Sequence, residues 1–310
     1  MCILILVPTF LAVKYYRQLE QSVAAADPPA VEVIPDDAPE LNSPVSTFEP
    51  EPKPAESEEP GANGEAVSQG DQNPVLSDDV PSYQSLYPDF YAPQPYNATE
   101  RNEKVIYLTF DDGPSERTDE ILAVLAEKDV KATFFVTGKN KEEDLARMRR
   151  IVEEGHTIGM HSFSHDYAAV YSSVEGFLEE FYKNFTQIRE ATGTTPTVFR
   201  CPGGSINGYD GGFYQEIISE MIRRGFVPFD WNISSEDAVT THVAPANKLT
   251  ANVVNGAKGK LRGFVLFHDS EMKTTTPLAL GPAIDQLREM GFEFSAITPN
   301  TMPVLYSYGY

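Results

Sequence analysis

The sequence predicts an α/β fold, a distorted (β/α) barrel with about seven parallel strands, on three observations. From residue 105 to the C-terminus, strand-like apolar runs alternate with amphipathic helical runs about seven times, the pattern of parallel strands wrapped by helices. No glycine-rich phosphate loop of the GxGxxG or GxxxxGK type follows any strand-like run, which favours a barrel over an open nucleotide-binding sheet. Polar residues collect where the strand-like runs stop, and in such barrels chemistry gathers at the C-terminal strand ends.

Taken in order, VIYLTF (Val105–Phe110) reads as a buried strand, and TDEILAVLAEK follows as a helix with Ile121, Leu122 and Leu125 on one face. ATFFVT (Ala132–Thr137) is the second strand; in KEEDLARMRRIVEEG, Leu145, Met148 and Val152 keep helical spacing and Gly155 marks the stop. TIGMH precedes a long helix from about Val174, whose Phe177, Leu178, Phe181, Phe185 and Ile188 form a continuous apolar stripe. TVFR, a helix around Phe213–Arg224, FVPFDW, a helix from about Pro245, GFVLFHD, a helix from about Leu278 to Met290 and FEFSAI complete the chain.

The part before residue 105 is of another kind. Residues 21–104 carry 17 acidic and 3 basic side chains, against 28 acidic and 19 basic in residues 105–310, so most of the net charge of −22 lies outside the barrel. Residues 21–80 are rich in Pro, Glu, Ser and Asp and are expected to be a disordered, self-repelling linker. From residue 81 the folded domain begins with a Tyr- and Pro-rich lead-in along its edge. Such acidity argues against nucleic acid as a partner. Residues 1–20 open with MCILILVPTFLAV, too short to span a bilayer; the segment reads as the remnant of a signal anchor or as an apolar terminus with no targeting role. Any membrane association is expected through it alone, with the domain a monomer at the outer face of a bacterial membrane or wall. The two cysteines, Cys2 and Cys201, form no disulfide framework, and Cys2 comes too early for a lipoprotein cysteine.

Five strand ends carry candidate chemistry: Asp111-Asp112, His161 with His165, Arg200 in RCPGG, Asp230-Trp231, and His268-Asp269. An isolated HxxxH is ordinarily a pair of surface histidines. Here, however, three of only five histidines (156, 161, 165, 242 and 268) fall at strand ends. Two imidazoles and a carboxylate leave coordination positions open, as a catalytic zinc requires. A cation would also relieve the repulsion between Asp111 and Asp112; one carboxylate would ligate it, the other would face the reaction space, and Arg200 would hold that second one ionised. Asp230 is the partner expected for a His268 imidazolium. His156 reads as structural, His242 as a loop residue, Trp231 as a core or substrate-facing ring, and Cys201 lacks a base that would make it a nucleophile.

TFDDGPS, HSFSH, RCPGG, the Asp-Trp pair and the LFH segment, in this order, resemble the polysaccharide deacetylases, carbohydrate esterase family 4 or the NodB-homology group. The resemblance covers roughly residues 104–300. It implies Asp111 as general base, Asp112, His161 and His165 as ligands of Zn²⁺ (Co²⁺ or Ni²⁺ sharing the same set), and His268 as general acid. Arg200 would orient Asp111, Asp230 would tune His268, and Leu266 would line the acetyl pocket. Many members carry an aromatic residue where this chain has Gly203, so the sugar subsite departs from the family pattern, although the Gly203 amide could still face the oxyanion. The implied activity is metal-dependent hydrolysis of N-acetyl groups on a polysaccharide, with peptidoglycan N-acetylglucosamine the first candidate. Chitin oligomers, an exopolysaccharide and acetylated xylan are the other substrates; a glycan-binding barrel without activity and a non-haem iron site are the rival classes.

Overall fold

The structure, a computed structural model, describes residues 80–209, 212–238 and 243–306. The expected N-terminal apolar segment, the acidic linker up to residue 79 and His242 lie outside the described residues. Among the described residues no helix is long and apolar enough to cross a membrane.

Eight parallel strands form one curled sheet: β1 Val105–Asp111, β2 Thr133–Val136, β3 Thr157–Met160, β4 Val198–Phe199, β5 Val227–Pro228, β6 Ile233–Ser234, β7 Arg262–His268 and β8 Glu293–Phe294. The order is β5-β4-β3-β2-β1-β7-β6, with β8 on the first rungs of β1. This is the distorted barrel expected, in an open form. One expectation is corrected: β6 follows β5 with no helix between them, and its two residues were not visible as a strand. The helices are α1 Glu116–Glu127, α2 Glu142–Glu153, α3 Tyr167–Val170, α4 Val174–Thr192, α5 Tyr214–Arg223, α6 Ala246–Ala257 and α7 Thr276–Glu289.

Local chemistry accounts for the long elements. Ser115 opens α1 with a capping box, its hydroxyl accepting from the Arg117 N–H while the Thr118 hydroxyl accepts from the Ser115 N–H. Ser173 caps the start of α4, and Gly193, at φ 71°, ends it. The whole apolar stripe of α4 is buried. On α2 the fully buried pair is Met148 and Ile151, with Leu145 and Val152 only partly covered, a small rotation from the face expected. Ahead of the barrel, the buried Arg224, paired with Glu220 at 2.7 Å, donates to the carbonyls of Tyr83, Leu86, Tyr87 and Phe90 and fixes the lead-in.

The two-residue period of the strands sorts side chains between two cores. Ile106, Leu108 and Phe110 of β1, with Val265 and Phe267 of β7, face the helices. Val105, Tyr107, Phe135 and Phe264 line the opposite face. The same parity sends Thr109, Asp111, Leu266 and His268 to that second face. Asp111 and His268 are the last paired rung of the seven-residue β1–β7 ladder.

Candidate active site

The site is built on the C-terminal ends of β1, β3, β4 and β7. Asp111 is the final residue of β1 and is buried. The wholly buried Arg200 guanidinium donates from Nη1 to Asp111 Oδ1 at 2.8 Å and to Thr109 Oγ1 at 2.7 Å. It also donates from Nε to the Phe229 carbonyl and from Nη2 to that of Asp230, each at 3.0 Å. Burial pushes the Asp111 carboxyl above the usual carboxylate range, while Arg200 and then His268 pull it back.

Asp112, His161 and His165 converge, with their ligand atoms all within 4.8 Å of one another. His161 Nδ1 lies 2.8 Å from the Arg200 carbonyl, which accepts its proton and leaves the Nε2 lone pair facing the site. Burial, the largest influence, pushes the His161 imidazole down to about 3, so the ring is neutral. Asp112 Oδ1 stands 3.6 Å from His161 Nε2 and 3.2 Å from His165 Nε2, and it is buried with no hydrogen-bond partner among the described residues. An unpaired carboxylate oxygen facing the lone pair of a neutral imidazole is repulsive unless a cation lies between them. Donors about 2.0–2.1 Å from a tetrahedral ion stand about 3.3 Å apart, so the spacing suits a small divalent metal.

The local backbone is bent to achieve this. Asp112 (φ 74°), Ser162 (φ 68°) and His165 (φ 56°) are all left-handed, a conformation costing roughly 1–2 kcal/mol for an ordinary residue. One face of α4 supports the bends: Glu180 accepts from Ser164 N and Oγ at 2.7 Å, and Asn184 Oδ1 accepts from the His161 N–H at 3.2 Å. Asp269 supports the β1–α1 loop, accepting from Ser115 Oγ at 2.8 Å and Thr118 Oγ1 at 2.6 Å; burial raises its carboxyl to about 6.

The expected partner of His268 is corrected. Asp230 does not pair with it: its carboxylate accepts from the Ser205 and Tyr306 N–H groups, at 2.8 and 2.6 Å, and from the Ser205 hydroxyl. His268 Nδ1 instead lies 2.7 Å from Asp237 Oδ1, and its N–H donates to Asp237 Oδ2 at 2.8 Å. Burial disfavours the imidazolium, but the hydrogen bond and charge of Asp237, with Asp112 and Asp111 beyond, outweigh it and hold His268 above its ordinary pKa. The physical reason for the switch is β6. It pairs Ile233 with Val265 and Ser234 with Leu266, and that register carries Asp237 to the end of β7.

Leu266, 7% exposed, shares the face of His268 two residues earlier. Gly203 is exposed, and its N–H has no partner among the described backbone hydrogen bonds, whereas that of Gly204 is taken by the Cys201 carbonyl. Trp231 lies beside Arg200 and packs edge-on against Tyr306 at 5.2 Å. His156 lies apart from the site: its Nδ1 accepts from the Ala132 N–H at 3.1 Å, and burial lowers it to about 4.

A buried carboxylate clamped by arginine, an imidazole clamped by aspartate and a triad spaced for a divalent cation thus meet at the strand ends of an open (β/α) barrel. The comparisons agree. The family described as polysaccharide deacetylase matches residues 98–210. A peptidoglycan-N-acetylglucosamine deacetylase of Bacillus cereus is 36% identical over 209 residues, covering 66% of this chain and 72% of its own. A second protein of that description, PgdA from Listeria monocytogenes serotype 1/2a, is 31% identical over 199 residues, 64% of this chain and 39% of its own length. The crystal structure of the catalytic domain of a peptidoglycan N-acetylglucosamine deacetylase from Eubacterium rectale superposes with a TM-score of 0.64 at 30% identity, covering 69% of this chain and 97% of that one. The chain belongs to the polysaccharide deacetylase family and is a deacetylase.

Proposed function

We propose that this enzyme removes N-acetyl groups from N-acetylglucosamine units of peptidoglycan, using a divalent metal, Zn²⁺ first, held by Asp112, His161 and His165. The observation that carries the metal is the buried, unpartnered Asp112 Oδ1 facing the two Nε2 atoms. The B. cereus and L. monocytogenes relatives, named for this substrate, support the choice of glycan. When bound, the metal would act as a Lewis acid on the acetamide and its attacking water.

The chain's own residues supply the rest. Asp111, ionised against Arg200, would take the proton of the attacking water. The free Gly203 N–H would face the charge that builds on the carbonyl oxygen. His268, kept protonated by Asp237, would deliver a proton to the departing nitrogen, which leaves poorly as an anion. Leu266 would pack against the acetyl methyl, with Trp231 next to the sugar. Acetate and a glucosamine unit result, with no covalent intermediate, so Cys201 needs no role. Residues 1–20 as an anchor and 21–80 as a tether would hold a monomeric domain at the outer face of a bacterial membrane or wall.

The test is acetate release from peptidoglycan and from N-acetylglucosamine oligomers, with chelator and with zinc restored. Metal-dependent release that Asp111→Asn and His268→Ala both abolish is the expected result. Chelator-insensitive release, or none from either glycan, would sink the proposal.

A further inference from the structure

The loop after β4 has two consecutive glycines, and each abuts a tyrosine from elsewhere in the chain. A β-carbon on Gly203 (φ 76°) would stand 3.0 Å from the Tyr167 hydroxyl and 3.1 Å from its ring. A β-carbon on Gly204 (φ 91°) would meet the Tyr306 ring at 2.9 Å. The space left by the missing side chains is thus taken by aromatic rings, brought in by α3 and the C-terminal segment. Tyr167 also stands edge-on to the ligand candidate His165 at 5.5 Å, and Tyr209 lies against it at 4.8 Å and 60°. Tyr209 is 63% exposed, in contrast to the covered rings of the core.

The loop that bears Tyr209 is braced. Asn207 accepts from the Tyr209 N–H at 2.9 Å and donates to the Gly204 carbonyl at 3.0 Å. A solvent-facing ring on a braced loop, separated by the Tyr167 ring from the candidate metal ligand His165, suits a flat apolar surface arriving from solution. A β-linked hexosamine with equatorial substituents presents such a surface, because its axial C–H bonds crowd onto the two faces of the ring.

We propose that Tyr167 and Tyr209 form the stacking wall of the sugar subsite, with the bare Gly203 as its floor. The ring of the acetylated unit lies against Tyr209 while its acetamide reaches Asp111. This deepens the deacetylase reading and rests on it. The wall selects sugars with an unobstructed pyranose face and makes no contact with the acetamide atoms that react, so it governs substrate affinity rather than the chemical step.

The decisive experiment measures equilibrium binding of the N-acetylglucosamine pentamer to the full chain loaded with zinc, in an Asp111→Asn background that prevents turnover. Tyr209→Ala is expected to weaken binding about tenfold and Tyr209→Phe less than twofold, since the ring and not the hydroxyl makes the surface. Zinc affinity and melting temperature should match those of the parent. With Asp111 intact, Tyr209→Ala should raise KM for acetate release far more than it lowers kcat. Unchanged pentamer affinity in Tyr209→Ala overturns the wall, as does a parent protein that binds no pentamer. Tyr209-dependent binding by a wild-type chain that releases no acetate would leave the wall standing and remove the deacetylase reading instead.

Discussion

The exchange of Asp230 for Asp237 as the partner of His268 can be put to a direct test. Asp237 lowers the energy of the imidazolium through a 2.7 Å hydrogen bond, and it also accepts from the His268 N–H at 2.8 Å and from Thr276 Oγ1 at 2.9 Å. Asp237→Asn keeps the shape and removes the charge. A charge-assisted hydrogen bond contributes about 1.5–3 kcal/mol, so kcat/KM should fall roughly ten- to a hundredfold if the bond matters most in the transition state. The sign with pH follows from the raised pKa of His268: in the proposed role of acid it is active while protonated, so activity should decline as pH rises through that pKa. Removing Asp237 lowers the pKa, and the alkaline limb of the profile should move to lower pH.

The assay is acetate release from N-acetylglucosamine oligomers across the pH range at saturating zinc, for the wild type, Asp237→Asn and Asp230→Asn. Asp230→Asn should act differently, loosening Ser205 and the C-terminal segment around Tyr306 and leaving the alkaline limb in place. A wild-type alkaline limb in Asp237→Asn, together with a shifted one in Asp230→Asn, would refute the assignment and restore the pairing first expected from the sequence.

Three further outcomes are expected. Arg200→Met strands the buried Asp111 carboxylate and should cost about 3–5 kcal/mol in chemical denaturation, with the acid limb of activity moving to higher pH; a stable variant with an unchanged acid limb would contradict the clamp. His156 is buried neutral, with its pKa lowered from 6.5 to about 4. The unfolded chain therefore binds the extra proton, and up to about 3 kcal/mol of stability, present above pH 6.5, is lost as pH falls toward 4; His156→Gln should flatten that slope in urea titrations. Zinc at a thousand times its dissociation constant should stabilise the fold by about 4 kcal/mol, visible as a rise in melting temperature. Asp112→Asn combined with His165→Ala should abolish that rise.

What was legible in the sequence follows from how much pattern each element carries. β1 and β7 are seven-residue strands, each built around a largely apolar run, and α4 keeps its stripe over nineteen residues, so all three read directly. β6 has two residues, too few to show an alternation. Missing it hides the register that carries Asp237 to His268, and leaves Asp230, at the end of the strand-like run FVPFDW, as the visible carboxylate. The triad was legible because it consists of scarce residue types at fixed spacing. The second support layer was not: Glu180 and Asn184 are ordinary polar residues on a helix, and only folding places them under the histidine turn. The glycines of RCPGG announce a loop, but nothing in their own sequence says which rings fill the space beside them.

The proposed base and acid share an origin in the sheet. Asp111 and His268 are cross-strand partners on the last rung of β1–β7, so strand register fixes their spacing and the parity of the strands fixes their common direction. Slippage by one residue would turn Asp111 toward the helices, where Phe110 now packs, and withdraw it from Arg200. The register is set by apolar residues: Leu108 and Phe110 interlock with Val265 and Phe267 on the helix side, and Tyr107 stacks on Phe264 at 4.6 Å on the other. The two clamps then differentiate two neighbouring groups by charge, a guanidinium beside the carboxylate proposed to take a proton and a carboxylate beside the imidazole proposed to give one. A core substitution at Phe264 or Phe267 should therefore impair activity beyond its effect on stability, because the rung that it helps to align is the one that carries the chemistry.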